Sequence, residues 1–472
     1  MSARERRRDD RVPRKEVPDR MSILSPTGHL GFTPIERGSF DLGVARRPDA
    51  IVADSGSCDI GPQPLGADEH PSPEEWQRHD LELMLVAARR LGVPMIVGSA
   101  SDTGTDRGVS QYADIIRELA RRHQLPPFTL GAIYSEVSRE ELGRRLGRGV
   151  RVEGLDGRPD LTPEVLARTD RLVAVMGVAP IIQALDQGAD VVIAGRSGDS
   201  CLFAAPAIRA GFPEAAAYYL GKVLECASFA AEPFMGKESI IGVVTEDAVT
   251  VTAMHPSQRC TVASVASHAM YERANPFFEH VAGGVLDMTD CRYAQVDERT
   301  TRITGFTFRR DSVYRIKLEG AGKVGERAVS IAGIRDPYTI RHIDQVIAWA
   351  RGKVRERWGE AGERYQLHYH VYGRDGVMGP WEPRRGSPGH ELCLVVEAVA
   401  PRWEDAEVIC ALGTRNLFYA RLPEVKGTAG TAALMMDEVL RGKPGYEWTV
   451  NHVLPLADPL ELTTVKLEVV GA

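Results

Sequence analysis

The chain has 472 residues, 43% of them hydrophobic and 26% charged, with a formal net charge of -7. That length and composition belong to a folded chain with room for two or more cores. The acidic balance argues against general nucleic-acid binding and a polybasic membrane surface, and no apolar run approaches the roughly 20 residues that span a bilayer.

Residues 1–20 mix Arg and Lys with acids and prolines and carry no large apolar core-former beyond Met1. The stretch lacks the apolar middle of a signal peptide and reads as a disordered tail, with Met21 an alternative start. From about Ile23 to Thr245 strands alternate with helices. Strands are predicted at 50–54, 94–98, 129–134, 171–176 and 190–195, and helices at 73–92, 109–124, 137–147, 162–168, 178–187 and 212–229. The helix at 73–92 has a capping serine, Ser72, before a proline and two acids, and stops at Gly92 and Pro94. Such alternation predicts an α/β fold over residues 21–240, with a Rossmann-like, doubly wound, mostly parallel sheet. Beyond about 240, β-branched runs at 240–253 and 285–335 read as antiparallel sheet. A helix at 338–358, strands at 365–372 and 391–399 and a helix at 402–418 follow. Residues 241–472 are therefore expected to form an α+β domain that closes the cleft.

Three strands end alike. Ala50–Ala53 runs into Asp54-Ser55-Gly56-Ser57, Pro94–Val97 into Gly98-Ser99-Ala100-Ser101-Asp102, and Val191–Ala194 into Gly195-Arg196-Ser197-Gly198-Asp199. In an open parallel sheet the carboxyl ends of the strands form the ligand rim. Arg196 there can fork onto a carboxylate. Asp54, Asp102 and Asp199 can move protons, because acids in a desolvated cleft have their pKa values pushed apart. Ser55, Gly56, Ser57, Gly98, Ser99, Ser101 and Gly195 can cradle an anionic group, with Arg335 as a second anion contact. Turn capping and a buried Arg–Asp pair are the structural alternatives. No cofactor is required by the sequence, although the carboxylates could equally hold a divalent cation such as Mg²⁺. A nicotinamide is disfavoured, because the loop at Gly98–Gly104 lacks the GxGxxG spacing.

His268 is a candidate general base, weighed against a satisfied buried histidine; its spacing to Cys260 and His255 matches no structural zinc site. Lys222 and Glu225 share a helical face and read as a surface ion pair. Seven cysteines without CxxC spacing suggest reduced thiols in a cytoplasmic protein.

Longer blocks carry a resemblance. Met176–Ser200, Gly221–Cys226, Ser264–Glu272, Lys317–Ala321, Ile334–Pro337, His370–Gly373 and Val395–Glu397 together resemble the acyclic terpene utilisation AtuA family, over nearly everything from Met21 to about Leu460. The resemblance implies a catabolic setting that handles branched acyl or carboxylic acid intermediates. With the strand-end residues it leads to an expected lyase or hydratase acting on a small carboxylate or acyl thioester. A hydrolase or metal-assisted enzyme, or a non-catalytic partner subunit, is the alternative. The expected partner is a small molecule, with no nucleic acid or membrane, in a homo-oligomer or with a small partner subunit.

Overall fold

The structure is a computed structural model that describes residues 17–56, 58–362, 364–424, 431–434 and 438–471. Most of the expected tail (1–16) and the candidate Ser57 lie outside the described residues. Two compact units emerge: one runs to Ala321 and includes Trp448–Ala472, and the other is Gly322–Glu447.

At the centre of the first unit lie β1 (Met21–Ser25), β2 (Ala50–Asp54), β3 (Met95–Gly98), β4 (Phe128–Tyr134) and β5 (Val191–Ala194). They are parallel neighbours in the order β1-β2-β3-β5-β4. Alternate residues of these strands enter opposite cores. Ile51 and Ala53 face helices α1 (Arg37–Ala45), α2 (Glu74–Leu91) and α3 (Asp106–Arg122). Ala50 and Val52 face α4 (Val178–Asp186), α5 (Asp199–Ala210) and α6 (Glu214–Leu224). Burial on both faces explains why these strands are apolar without alternation. As predicted, α2 stops at Gly92, which adopts φ +69. Ser72 does not cap its start; that hydroxyl donates to the Phe32 carbonyl instead.

The sheet is mixed rather than mostly parallel. It has ten strands, with antiparallel additions at both flanks. Ile240–Val244 pairs with all five residues of β1, and the C-terminal Thr464–Val470 returns to pair with β4. Position 240, the expected domain boundary, therefore marks a change from parallel to antiparallel pairing inside one unit, and the compact unit continues to Ala321. Two further expectations are corrected. The strand at Arg171–Val175 forms but leaves the central sheet to pair antiparallel with β6 (Arg315–Ile334), placing Val173 opposite Glu319 and Val175 opposite Lys317. Helix α5 went unanticipated because Pro206 interrupts its pattern, and α6 ends at Leu224 rather than running to 229. In the second unit, Gln366–Tyr372 and Leu392–Ala400 form a sheet with the far half of β6, packed with helices Ile343–Trp358 and Trp403–Tyr419. Among the described residues, no helix is long and apolar enough to cross a membrane.

Close approach of α6 to α5 depends on Gly221, where a Cβ would lie 2.1 Å from the Ser200 carbonyl oxygen. At Gly143, inside the helix Arg139–Gly147, the nearest atom to an added Cβ is 3.8 Å away. Gly221→Ala should therefore destabilise the protein by about 2–3 kcal/mol through backbone displacement. Gly143→Ala should stabilise it by about 0.5–1 kcal/mol. Urea unfolding of the two variants checks both signs.

Candidate functional site

Because β2, β3 and β5 are parallel, their carboxyl ends bring Asp54, Ser99 and Arg196 to one edge of the sheet. Small residues let the loops close on each other. A Cβ on Gly56 would lie 2.6 Å from that of Ser99, and one on Gly104, at φ +63, would meet the Arg196 backbone at 2.9 Å. The Ser99 hydroxyl accepts from Arg196 Nη1 (3.0 Å) and from the Ser197 amide (3.3 Å), and it acts to lower the pKa of the Asp54 carboxyl. Arg196 Nη1 also reaches the Gly56 carbonyl at 3.4 Å and Asp199 Oδ1 at 3.6 Å. Its Nε donates to Glu319 Oε2 at 2.8 Å, while Lys317 Nζ donates to Glu319 Oε1 at 2.8 Å.

Electrostatics follow from burial. Glu319 is only 4% exposed, and burial alone would raise its pKa; the Arg196 and Lys317 charges outweigh that and bring it down to about 2. Arg196, 8% exposed, would be lowered by burial, but Glu319, Asp199 and Asp54 hold it well above its ordinary value. Asp54 moves the other way. Burial raises it first, and the neighbouring Asp199 raises it further against the pull of Arg196. The Asp54 and Asp199 carboxyls are close enough that Asp199 makes the charged form of Asp54 less favourable.

Beside this group opens a cavity of ≈ 580 Å³. Arg196, Asp199, Ser200, Lys317, Glu319 and Cys58 line it, as do Glu225 and Glu279. Asp199 and Ser200 begin α5, so the positive end of that helix dipole faces the same space.

The remaining sequence candidates are placed otherwise. The Ser55 hydroxyl is buried, donating to the Leu30 carbonyl and bonded to the Tyr112 hydroxyl at 2.7 Å. Ser101 donates to Gln111. A Cβ on Gly98 would meet Leu202, and one on Gly195 would meet the Ser135 hydroxyl, so both glycines serve packing. Asp102 is turned by a φ of +60 toward His29, whose Nε2 lies 2.9 Å from Oδ2. His268 packs against the ring of Tyr271. Burial, with Lys222 and Arg273 nearby, pushes its pKa down to about 3, so it is a neutral imidazole. Arg335 is exposed in the second unit, just beyond β6. Among the described residues no group of three or more His, Cys, Asp or Glu is arranged to hold a metal ion.

Lys317 and Glu319 are the partners that sequence reasoning did not attach to this rim. Their signal is the Lys-Leu-Glu alternation, which puts two charges on one face of a strand. Lys222 and Glu225, read as a surface pair, are 4% and 6% exposed.

The model of the acyclic terpene utilisation family protein AtuA matches residues 41–445. No curated protein and no solved structure matches the chain.

The lowered pKa of Glu319 has a definite sign for stability. A carboxyl at about 2 when folded and near its ordinary 4.5 when unfolded contributes stability above pH 4.5. That contribution is lost as pH falls toward 2. Glu319→Gln should cost about 3 kcal/mol at pH 7, and the gap to the wild type should narrow steadily between pH 4.5 and 2. Denaturant unfolding across that pH range measures the gap.

Proposed function

The chain belongs to the acyclic terpene utilisation AtuA family, and from that premise we propose that it is a lyase of small-molecule catabolism. The proposed reaction adds water to, or removes it from, a small carboxylic acid or acyl thioester. The observation that carries this reading is the buried Asp54 carboxyl, raised by burial and by the neighbouring Asp199 that lines the cavity, and in this reading the two share one proton. A carboxyl pair with one proton has one basic site left, suited to taking the proton from the carbon next to an acyl group. Arg196 and Ser99 hold the pair in place and limit the charge that builds up on it.

Substrate contact falls to a different cation from the one the sequence suggested. Arg196 Nε and Nη1 are occupied by Glu319, Ser99 and Gly56, so Arg196 acts as a positioning group. Lys317 is anchored by Glu319 yet its side chain is 36% exposed, and it lines the cavity beside Asp199. In this reading Lys317 holds the substrate carboxylate or acyl oxygen, with the N-terminus of α5 adding partial positive charge where the enolate develops.

The test is hydration of a panel of methyl-branched α,β-unsaturated acids and their pantetheine thioesters, followed by ¹⁸O incorporation from labelled water. The wild type should hydrate at least one member. Asp54→Asn and Asp199→Asn should each lower kcat by about 10²–10⁴-fold. Arg196→Lys keeps the charge but loses the fork, and should lower kcat by about 10²-fold. Wild-type turnover in Asp199→Asn would overturn the reading.

A further inference from the structure

Removing water from a hydroxy acid needs two proton movements, and the Asp54–Asp199 pair supplies one. Building on the reading above, we propose that Glu225, held by Lys222, is a second proton-transferring carboxyl of the same cavity, the one that protonates the departing hydroxyl.

The placement comes from packing. At Gly221, α6 lies directly on the first turn of α5, the turn that carries Asp199 and Ser200. One helical turn later the chain reaches Glu225. Its position is fixed from the β1 side: the Ser25 hydroxyl donates to the Leu224 carbonyl at 2.8 Å, and a Cβ on Gly28 would meet the Cys226 backbone at 2.7 Å. Glu225 and Asp199 line one cavity, so both carboxyls can reach one small molecule.

Surrounding groups suit a proton donor. Lys222 Nζ contacts the Glu225 carboxyl and lies 5.0 Å from the centroid of the Tyr271 ring. On the strand Phe278–Val281, Glu279 is paired with Arg273 at 2.9 Å. The Cys226 thiol bonds the Tyr271 hydroxyl at 3.2 Å, and His268 is neutral. Burial pushes Glu225 up to about 8, with Glu279 and Asp199 acting in the same direction against Lys222. An ion pair on the surface would be ionised at pH 7. Burial makes this carboxyl hold its proton more tightly than one on the surface.

The step balances. The Asp54–Asp199 pair takes the carbon-bound proton, and the C–H electron pair becomes the second bond of C=C. The C–O bond breaks, and the hydroxyl leaves as water with the proton from Glu225. Hydration is the reverse. Both groups reset by exchange with solvent after product leaves.

The experiment is the pH profile of kcat/KM for hydration in the wild type, Glu225→Gln and Lys222→Met. In the wild type, kcat/KM should fall above pH about 8 as Glu225 ionises. Glu225→Gln should lose about 10²-fold in kcat and no longer show that alkaline fall. Lys222→Met removes the cation that opposes the raised pKa, so the alkaline fall should move to higher pH; a merely structural role would not move it. A Glu225→Gln enzyme within threefold of wild type, with the alkaline fall intact, would overturn the proposal. If that variant does not fold, an unmoved fall in Lys222→Met overturns it. Loss of activity in Asp54→Asn and Asp199→Asn with none in Glu225→Gln removes this inference alone. Retention in all three removes the underlying reading.

Discussion

Glu319 is a carboxylate with almost no water around it, and its charge is tolerable only because Arg196 and Lys317 each donate a hydrogen bond to it. Removing either cation would leave a buried charge with half its compensation, a change that typically costs about 3–5 kcal/mol. The pair thus fixes more than itself. With Nε held by Glu319, the guanidinium plane is set, and Nη1 is aimed at Ser99, the Gly56 carbonyl and Asp199. Ser99 in turn favours the charged form of Asp54. A chain of contacts therefore runs from β6 to the carboxyl pair, and each member's protonation depends on the next.

The parallel sheet makes that chain possible. Three strand ends arrive at one edge, and the loops beyond them approach closely because Gly56 and Gly104 carry no Cβ. The turn after β3 is strained: Ser99, Ser101 and Asp102 all have positive φ, a region that L residues other than glycine rarely adopt. Local strain of this kind persists where neighbouring contacts over-determine the backbone. The Gly195 carbonyl accepts from the Ser99 amide, and the Ser99 hydroxyl accepts from Arg196.

How much of this was legible can be read residue by residue. Apolar runs ending in Asp54, Ser99 and Arg196 announced both the parallel strands and their shared edge, since buried strands and strand-end glycines have local signatures. The direction of a side chain does not. Asp102 turns to His29 through a backbone conformation that no glycine advertised. Ser55 is spent on Leu30 and Tyr112 because residues 25 and 57 positions away fold over it. Glu319 was invisible for a related reason: nothing in Lys317-Leu318-Glu319 specifies that its strand will lie beside Arg171–Val175 rather than at the surface. Lys222 and Glu225 have the spacing of a solvent-exposed pair, and tertiary packing, of α6 on α5 and of Tyr271 over Lys222, buries them. The change of composition near 240 signals antiparallel pairing, but composition does not say that the new strand pairs back onto β1, because pairing partners are set by tertiary contacts.

Proton sharing between Asp54 and Asp199 is the central claim, and isotope-edited infrared difference spectroscopy of wild type against Asp54→Asn reads it directly. At pH 7 the difference should contain the carbonyl stretch of a protonated carboxyl group, persisting as the pH is raised past the ordinary carboxylate range. A difference spectrum at pH 7 containing only carboxylate bands would contradict it.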